Sequence, residues 1–175
     1  SNGISCIVAG EKPYHGAMIL ATSAAIKTGT KYLQVFTEEE YAHTLPIILP
    51  QIIAKPFSLS DFEKSLSSFN RILIGPGTTT SVKKYVDIAL ENINSLDSLI
   101  IDAGALMHID KNKPLSDRLI ITPHPGEAAR MLNIPVSEVQ ADRYKTVRKL
   151  YDLFQCIIVL KGSGSIIFDG NSMYT

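Results

Sequence analysis

The sequence has only two cysteines, no net charge and no long apolar run, and each of these shortages excludes a class of protein. Its 17 basic side chains are balanced by 17 acidic ones, so the chain presents no overall field to a nucleic-acid backbone or an anionic membrane surface. No apolar run approaches the roughly 20 residues that a membrane-spanning helix needs. We therefore expect no nucleic-acid partner and no membrane partner.

The two cysteines indicate the cellular compartment. Cys6 and Cys156 lie in apolar runs without metal-ligand spacing, and two cysteines are too few for a secreted disulfide scaffold. A reducing cytoplasm fits this usage best.

With 175 residues, of which 45% are hydrophobic, the chain can bury most of its apolar surface in one core, which predicts a single domain over residues 1–175.

Short β-branched runs alternate with helical patterns along the chain. The strand-like runs are 6–9, 32–36, 72–74, 99–101, 119–121, 157–160 and 166–168, and the clearest helical patterns are 17–27, 82–92 and 143–154. Alternation of this kind predicts an α/β fold with a mostly parallel sheet covered by helices on both faces. Only residues 161–165 separate the last two runs, which predicts an antiparallel hairpin near the C-terminus. Residues 44–60, with their prolines, are expected to be irregular.

Ligands bind at the carboxyl ends of the strands in such a sheet, so the residues that follow each strand are the candidate binding residues. Gly75-Pro76-Gly77 follows one run and leaves backbone open to a flat or phosphorylated ligand. The same tripeptide is also ordinary turn chemistry, and the two interpretations stay open. Neither G-x-G-x-x-G nor G-x-x-x-x-G-K-[ST] occurs, which leaves the dinucleotide fingerprint and the P-loop unsupported.

The segment Thr122-Pro123-His124-Pro125-Gly126-Glu127 is the most specific stretch of the sequence. Its prolines restrict the backbone on both sides of one imidazole, which is held at a strand end. We interpret His124 as a ligand contact, although a lone histidine is more often structural. Glu127 is also explained as a helix-start carboxylate favoured by the helix dipole.

A loop of small residues with one cation follows the penultimate strand-like run. It comprises Lys161, Gly162, Ser163, Gly164 and Ser165. Such a loop offers amides, hydroxyls and an ammonium group to the phosphates of a nucleotide. A flexible hairpin turn with a solvated lysine explains the same residues, so both interpretations stay open.

Two further strand-end or helix-start features are ambiguous. Asp102 ends a buried strand, where it could help to hold phosphate-bound Mg²⁺ or cap the following turn, and we favour the cap. Asp142 and Arg143 open a helix and are interpreted as a local cap and charge pair.

Taken in order, these stretches resemble the ADP- or ATP-dependent NAD(P)H-hydrate dehydratases of the ribokinase-like superfamily. The matching pieces are Gly16-Ala17 with its helix ending at Thr28-Gly29, Ile74-Gly75-Pro76-Gly77, Ile101-Asp102-Ala103-Gly104-Ala105-Leu106, Thr122-Pro123-His124-Pro125-Gly126-Glu127 and Val159-Leu160-Lys161-Gly162. The likeness covers nearly all of the chain and predicts a ribokinase-like fold.

The resemblance implies a repair activity on hydrated NADH or NADPH. ATP or ADP, with Mg²⁺, phosphorylates the hydroxyl on the hydrated nicotinamide ring, and phosphate then leaves. By position, Ala17, Gly77 and His124 would contact the hydrated dinucleotide. Residues 161–165 would contact the nucleotide phosphates. No residue of the chain is expected to bind a metal ion directly, and the family implies a homo-oligomer.

The family's catalytic aspartate does not fall within this sequence. It ends a glycine-rich loop that follows the strand corresponding to residues 166–168, and the resemblance places it after Thr175. The family's lead-in to the first strand is also absent, so we expect a domain truncated at both ends, with its catalytic group unidentified. Two alternatives remain: a vitamin or sugar kinase of the same fold, and a catalytically incomplete nucleotide-binding module.

Overall fold

The computed structural model describes residues 3–110 and 116–175, and these form one sheet of nine strands. The strands are β1 (Ile4–Val8), β2 (Leu33–Thr37), β3 (Ile53–Pro56), β4 (Phe69–Ile74), β5 (Ser98–Ile101), β6 (Leu119–Ile121), β7 (Ile157–Leu160), β8 (Ile166–Phe168) and β9 (Met173–Tyr174). The helices are α1 (His15–Lys27), α2 (Glu39–Ile48), α3 (Leu59–Ser65), α4 (Lys83–Glu91), α5 (Pro125–Leu132), α6 (Val136–Ala141) and α7 (Arg143–Phe154), with short 3₁₀ turns at Leu66–Ser68, Ile93–Ser95 and Ala103–His108.

The strand order across the sheet is β3-β2-β1-β4-β5-β6-β7-β8-β9. Neighbouring strands are parallel from β3 to β7, and β8 and β9 continue the sheet antiparallel. The predicted α/β class and the predicted hairpin are confirmed. The order reverses at β1, which pairs with both β2 and β4. A reversal of this kind opens a crevice at the carboxyl ends of the strands.

Alternate residues of β1 belong to two separate apolar clusters, because successive side chains of a strand point to opposite faces. Ile7 packs in a cluster with Met18 of α1 and Leu45 of α2. Cys6 packs in the larger cluster, which includes residues of α3 to α7, among them Phe154. Helices therefore cover both faces of the sheet, as predicted.

Coverage of the α1 and α2 face is incomplete along the later strands. The residues of β5 to β7 that point to this face are half-buried, and they are Ile100, Ile120, Ile157 and Val159. Their neighbours on the opposite face are fully buried, namely Leu99, Ile101, Leu119, Ile121, Ile158 and Leu160. The larger cluster thus supplies most of the apolar burial in this half of the sheet.

The prediction that residues 44–60 are irregular was wrong. This stretch holds the end of α2, with Pro46 inside the helix, then strand β3 and the start of α3. Pro56 is tolerated because β3 is an edge strand, where a missing N–H breaks few ladder hydrogen bonds. Ser58 caps α3 by accepting a hydrogen bond from the backbone N–H of Asp61.

Across the ranges that the structure describes, no helix is both long enough and apolar enough to span a membrane.

Candidate functional site

The candidate site begins where the strand order reverses, between the turn after β1 and the loop after β4. The backbone N–H of Gly10 donates to the carbonyl of Pro76 at 2.9 Å, and that of Glu11 donates to the carbonyl of Gly77 at 2.7 Å. These bonds hold the two segments edge to edge at the carboxyl end of the sheet.

Gly77 and Ala17, both predicted substrate contacts, lie side by side in this crevice. Gly77 has a φ of +64°, and a Cβ built on it would lie 2.3 Å from the carbonyl oxygen of Tyr14 and 3.2 Å from the Cβ of Ala17. Only glycine combines that backbone conformation with so close an approach. The loop after β4 therefore lies directly against the first turn of α1.

Gly75 has a different role from Gly77. Its φ is +133°, and a Cβ there would lie 1.7 Å from the carbonyl oxygen of Asp102. Packing between the ends of β4 and β5 thus requires glycine at this position. Gly75 is explained by the fold, whereas Gly77 borders the crevice.

His124 is the N-cap of α5. Its Nδ1 accepts hydrogen bonds from the backbone N–H groups of Gly126 at 3.0 Å and Glu127 at 3.3 Å, and the Glu127 carboxylate accepts from the backbone N–H of His124 at 2.8 Å. This reciprocal pattern is a capping box. Because Nδ1 accepts, the ring's proton lies on Nε2, which faces Glu127 Oε1 at 3.4 Å. The side chain is 51% exposed, so the ring is open to a ligand.

A charged cluster joins the ends of β5, β6 and β7. The ammonium of Lys161 donates to Asp102 Oδ1 at 2.6 Å and lies 3.9 Å from Glu127 Oε2. The hydroxyl of Thr122 donates to the same Asp102 oxygen at 2.8 Å. The predicted side-chain cap by Asp102 is wrong, since the 3₁₀ turn that it precedes receives no side-chain hydrogen bond from it.

The loop of residues 161–165 is positioned from behind by Arg143. Its guanidinium donates to the carbonyls of Ser163 at 2.7 Å, Leu160 at 3.2 Å and Lys161 at 3.4 Å. Gly162 has a φ of +148°, and a Cβ there would lie 3.0 Å from Arg143 Nη2. The interpretation of Arg143 as one half of a local charge pair is wrong, because Nη1 and Nη2 donate to these carbonyls and not to Asp142.

Asp142 does cap α7, as expected, by accepting a hydrogen bond from the backbone N–H of Lys145 at 2.9 Å.

An open cavity of about 360 Å³ lies beside the 161–165 loop and is lined in part by Arg143, Tyr144, Ser163 and Gly164. Residues 162–165 of the loop are exposed to solvent.

Backbone hydrogen bonds connect successive strand ends into one continuous rim. Asp102 N–H donates to Ile74 O at 3.0 Å, Thr122 N–H to Ile101 O at 3.2 Å, and Lys161 N–H to Pro123 O at 2.9 Å. The predicted substrate contacts and the predicted nucleotide loop therefore belong to one edge of one sheet. Within residues 3–110 and 116–175, no group of three or more His, Cys, Asp or Glu side chains is arranged to hold a metal ion.

Sequence reasoning missed two residues at this rim. Arg143 was assigned to a local pair, and Glu11 was not singled out at all. Glu11 accepts hydrogen bonds from the hydroxyls of Thr79 and Ser81, which lie 68 and 70 positions away in the chain. No local pattern could reveal such a contact, because only the pairing of β1 with β4 brings these segments together.

A mostly parallel sheet that reverses at β1 and ends in antiparallel strands has the ribokinase-like fold. A solved ribokinase-like superfamily protein of Enterococcus faecalis shares this fold, with a TM-score of 0.85 and 23% identity over 99% of this chain and 62% of that chain.

The family is established by sequence. The family model described as NAD(P)H-hydrate dehydratase matches residues 5–175, and the chain belongs to that family. The bifunctional NAD(P)H-hydrate repair enzyme of Vibrio cholerae is 30% identical over 98% of this chain, which spans 35% of that protein. An ADP/ATP-dependent NAD(P)H-hydrate dehydratase of Bacillus subtilis, co-crystallized with ATP/Mg²⁺, matches with a TM-score of 0.79 and 29% identity over 99% of this chain and 63% of that one.

Proposed function

We propose that this chain forms the binding crevice of a nucleotide-dependent dehydratase that repairs hydrated NADH or NADPH. The observation that carries the proposal is the continuous rim on which Ala17 and Gly77, His124 and the 161–165 loop occur together. The match of residues 5–175 to the dehydratase family supports the same substrate class.

The reaction follows from the poor leaving ability of hydroxide. The ring hydroxyl of the hydrated dinucleotide attacks the terminal phosphorus of ATP or ADP, its proton is taken by a base, and the nucleotide leaves one phosphate shorter. The carbon–oxygen bond then breaks, inorganic phosphate departs with the electron pair, and loss of a ring proton restores the dihydronicotinamide double bond. Preorganised donors at the transferred group stabilise the charge that develops on it.

The substrate half of the crevice is assigned to Ala17, Gly77 and His124. Gly77 packs against Ala17, and both residues are half-buried. The exposed part of the Gly77 backbone and the small side chain of Ala17 would form one surface on which a flat ring can lie. The His124 side chain is 51% exposed, and its Nε2–H, which lies 3.4 Å from Glu127 Oε1, would also donate to the hydrated dinucleotide.

The nucleotide half is assigned to Lys161, Gly162, Ser163, Gly164 and Ser165. The Lys161 ammonium would form a charge-assisted contact with a phosphate, and the loop amides and hydroxyls would complete it. Arg143 binds the carbonyls of Leu160, Lys161 and Ser163, and the Lys161 amide donates to Pro123 O. The amides of residues 162–164 would therefore be the ones that face the phosphates.

The donors at the rim fit Mg²⁺ brought in with the nucleotide. Mg²⁺ prefers oxygen ligands and usually combines one or two carboxylates with phosphates and water. Asp102 and Glu127 would orient the phosphate-bound cation through its water molecules, and the cation would neutralise phosphate charge. The B. subtilis dehydratase crystallised with ATP/Mg²⁺ supports this cofactor choice.

Three further assignments belong to the proposal. The carboxylate that acts on the substrate hydroxyl is assigned to the family's glycine-rich loop rather than to any residue of this sequence. We assign a homo-oligomeric state from the family resemblance, to be checked by light scattering after gel filtration. We also assign the cytoplasm, where NADH and NADPH are used and where Cys6 and Cys156 stay reduced.

The decisive experiment incubates hydrated NADH with ATP or ADP and Mg²⁺, using both this chain and the polypeptide that its native gene encodes. We expect return of the dihydronicotinamide absorbance together with free phosphate. A stable phosphoester instead would indicate a kinase. Binding of both ligands without turnover by either protein would indicate a nucleotide-binding module, and absence of binding would overturn the proposal.

A further inference from the structure

Glu11 is a buried carboxylate at the point where the sheet reverses. It lies in the turn after β1 and is 6% exposed. Both of its oxygens accept hydrogen bonds, one from the hydroxyl of Thr79 and the other from the hydroxyl of Ser81. An ionised carboxylate is costly to bury unless its oxygens find donors, so these two contacts stabilise Glu11 in its position.

No basic side chain in the described ranges forms an ion pair with Glu11. Its interaction partners in the loop after β4 are the two hydroxyls and the backbone of Gly77. The Glu11 N–H donates to the Gly77 carbonyl at 2.7 Å. Glu11 therefore contacts the loop after β4 at two places, near its start through the backbone and near its end through the side chain.

The opposite side of the same loop packs against the 3₁₀ turn after β5. A Cβ on Gly104 would lie 2.0 Å from the carbonyl oxygen of Thr78, and the ring Nε2 of His108 is 3.3 Å from the carbonyl oxygen of Thr79. The loop of residues 75–81 is thus held between the turn that carries Glu11 and the 3₁₀ turn after β5. Loss of the Glu11 side chain would free Thr79 and Ser81 on one of these two sides, while the backbone bonds to Pro76 and Gly77 remain.

Gly77 is the residue of this loop that faces Ala17. The carbonyl of Tyr14 and the Cβ of Ala17 limit how far Gly77 can approach α1. The backbone bond from Glu11 N–H holds Gly77 itself, and the Glu11 side chain holds the same loop further along, at Thr79 and Ser81. The same turn also joins β1 to α1, since the Tyr14 N–H donates to the Glu11 carbonyl at 2.6 Å. Glu11 is therefore bonded to both walls of the crevice.

We propose that Glu11 is a positioning residue that holds the loop of residues 75–81 beside the first turn of α1, where Gly77 and Ala17 together would face the hydrated nicotinamide dinucleotide. This inference rests on the proposed function. It predicts a selective effect, because the nucleotide loop of residues 161–165 is held by Arg143 and Asp102 and makes no contact with Glu11 among those described.

The test compares Glu11→Ala with Glu11→Gln in this chain. For Glu11→Ala we expect affinity for hydrated NADH to fall about tenfold, since misplacement of a binding wall by a fraction of an ångström is costly. Glu11→Gln keeps the shape and can still bond both hydroxyls, so affinity should return to within about threefold of wild type. Affinity for ATP should be unchanged in both variants.

Thr37→Val is the matched control. The Thr37 hydroxyl donates to the carbonyl of Gly10 at 3.1 Å, so its removal disturbs the same turn without touching the loop of residues 75–81. We expect Thr37→Val to lower thermal stability with no change in affinity for hydrated NADH. If Glu11→Ala does not fold, the double variant Thr79→Val/Ser81→Ala replaces it and should show the same selective loss.

Hydrogen exchange of the ligand-free protein separates this inference from the proposed function. Removing the Glu11 side chain should speed amide exchange within residues 75–81 and leave exchange within residues 161–165 unchanged. Wild type that fails to bind hydrated NADH overturns the proposed function and with it the role of Glu11. Wild type that binds, with unchanged affinity in Glu11→Ala, overturns the positioning role alone, as does unchanged loop exchange.

Discussion

The ammonium of Lys161 lies 2.6 Å from the carboxylate of Asp102, so the end of β7 is joined to the end of β5 across β6. The two side chains are 39% and 24% exposed, which leaves the ammonium reachable from solvent. A phosphate that enters this site meets a cation already held in position by Asp102. Preorganisation of this kind reduces the entropy lost on binding.

Lys161→Ala should weaken binding of ATP or ADP by about 1.5–3 kcal/mol, the usual range for a hydrogen bond to a charged group. Titration calorimetry of the purified variant measures the change. Lys149→Ala is the control, because Lys149 also forms an ion pair, with Glu138 at 2.9 Å, but lies away from the rim. Equal loss in both variants would point to a general charge effect and remove Lys161 from the nucleotide site.

His124→Ala should weaken binding of hydrated NADH and also cost about 1 kcal/mol of stability, because the N-cap of α5 is lost. His124→Asn separates the two roles. Asparagine is a good N-cap, so it should restore stability while the imidazole Nε2–H remains absent. Denaturant unfolding and calorimetry on both variants provide the comparison. Normal affinity in His124→Asn would restrict the histidine to capping.

Gly75→Ala should destabilise the fold by roughly 2–6 kcal/mol, because it combines a backbone strain with a severe overlap. The new Cβ would lie 1.7 Å from the Asp102 carbonyl oxygen at a φ of +133°. Gly16→Ala is the matched control, since a Cβ at Gly16 meets nothing within 4 Å. Alanine in the first turn of α1 should be neutral or stabilise by up to about 1 kcal/mol. The midpoints of chemical unfolding measure both changes in stability. Equal midpoints for the two variants would contradict this account.

Both cysteines should resist alkylation in the folded protein. Burial raises the pKa of the Cys156 thiol to about 12 and raises the pKa of the Cys6 thiol well above its ordinary value. The thiolate is the reactive form, so iodoacetamide at about pH 8 should label neither residue until denaturant is added. Mass spectrometry with and without urea measures how many cysteines are labelled. Rapid labelling of the native protein would contradict the burial of the two thiols.

The same shifts predict a loss of stability at alkaline pH. The folded-state pKa of each thiol lies above its unfolded value near 9.0, so the thiols' contribution is fully present below that value and is lost as pH rises toward the folded pKa. Burial also raises the pKa of Tyr85 to about 12, which acts in the same direction. Urea unfolding at several values between about pH 8 and pH 11 should show a falling free energy of unfolding.

The regular part of the fold was predictable because its pattern is local. The continuous β-branched runs of β5, β6 and β7 identified strands buried in a parallel sheet, and residues 143–154 matched α7 to the residue. Strand β9 was missed because Met173–Tyr174 is too short to carry a pattern. Strand β3 was missed because its residues Lys55 and Pro56 are untypical of a strand, and pairing with β2 outweighs their weak preference.

The site was predictable in part for the same reason. His124, Gly77 and the 161–165 loop directly follow strands, so the α/β pattern alone places them at the carboxyl edge. Contacts between distant segments were not predictable. The Asp102–Lys161 pair spans 59 positions, and an aspartate at a helix start suggests a cap until the facing lysine is known.

The order of residues alone therefore determined the α/β class, the family and the edge of the sheet at which the candidate site lies, because hydrophobic periodicity and the motifs that follow the strands are local properties of the chain. The tertiary structure decided the electrostatics and the spacing of the crevice. Glu11 meets Thr79 and Ser81, Arg143 meets the carbonyls behind the 161–165 loop, and Lys161 meets Asp102 only after β1, β4, β5 and β7 are ordered in one sheet.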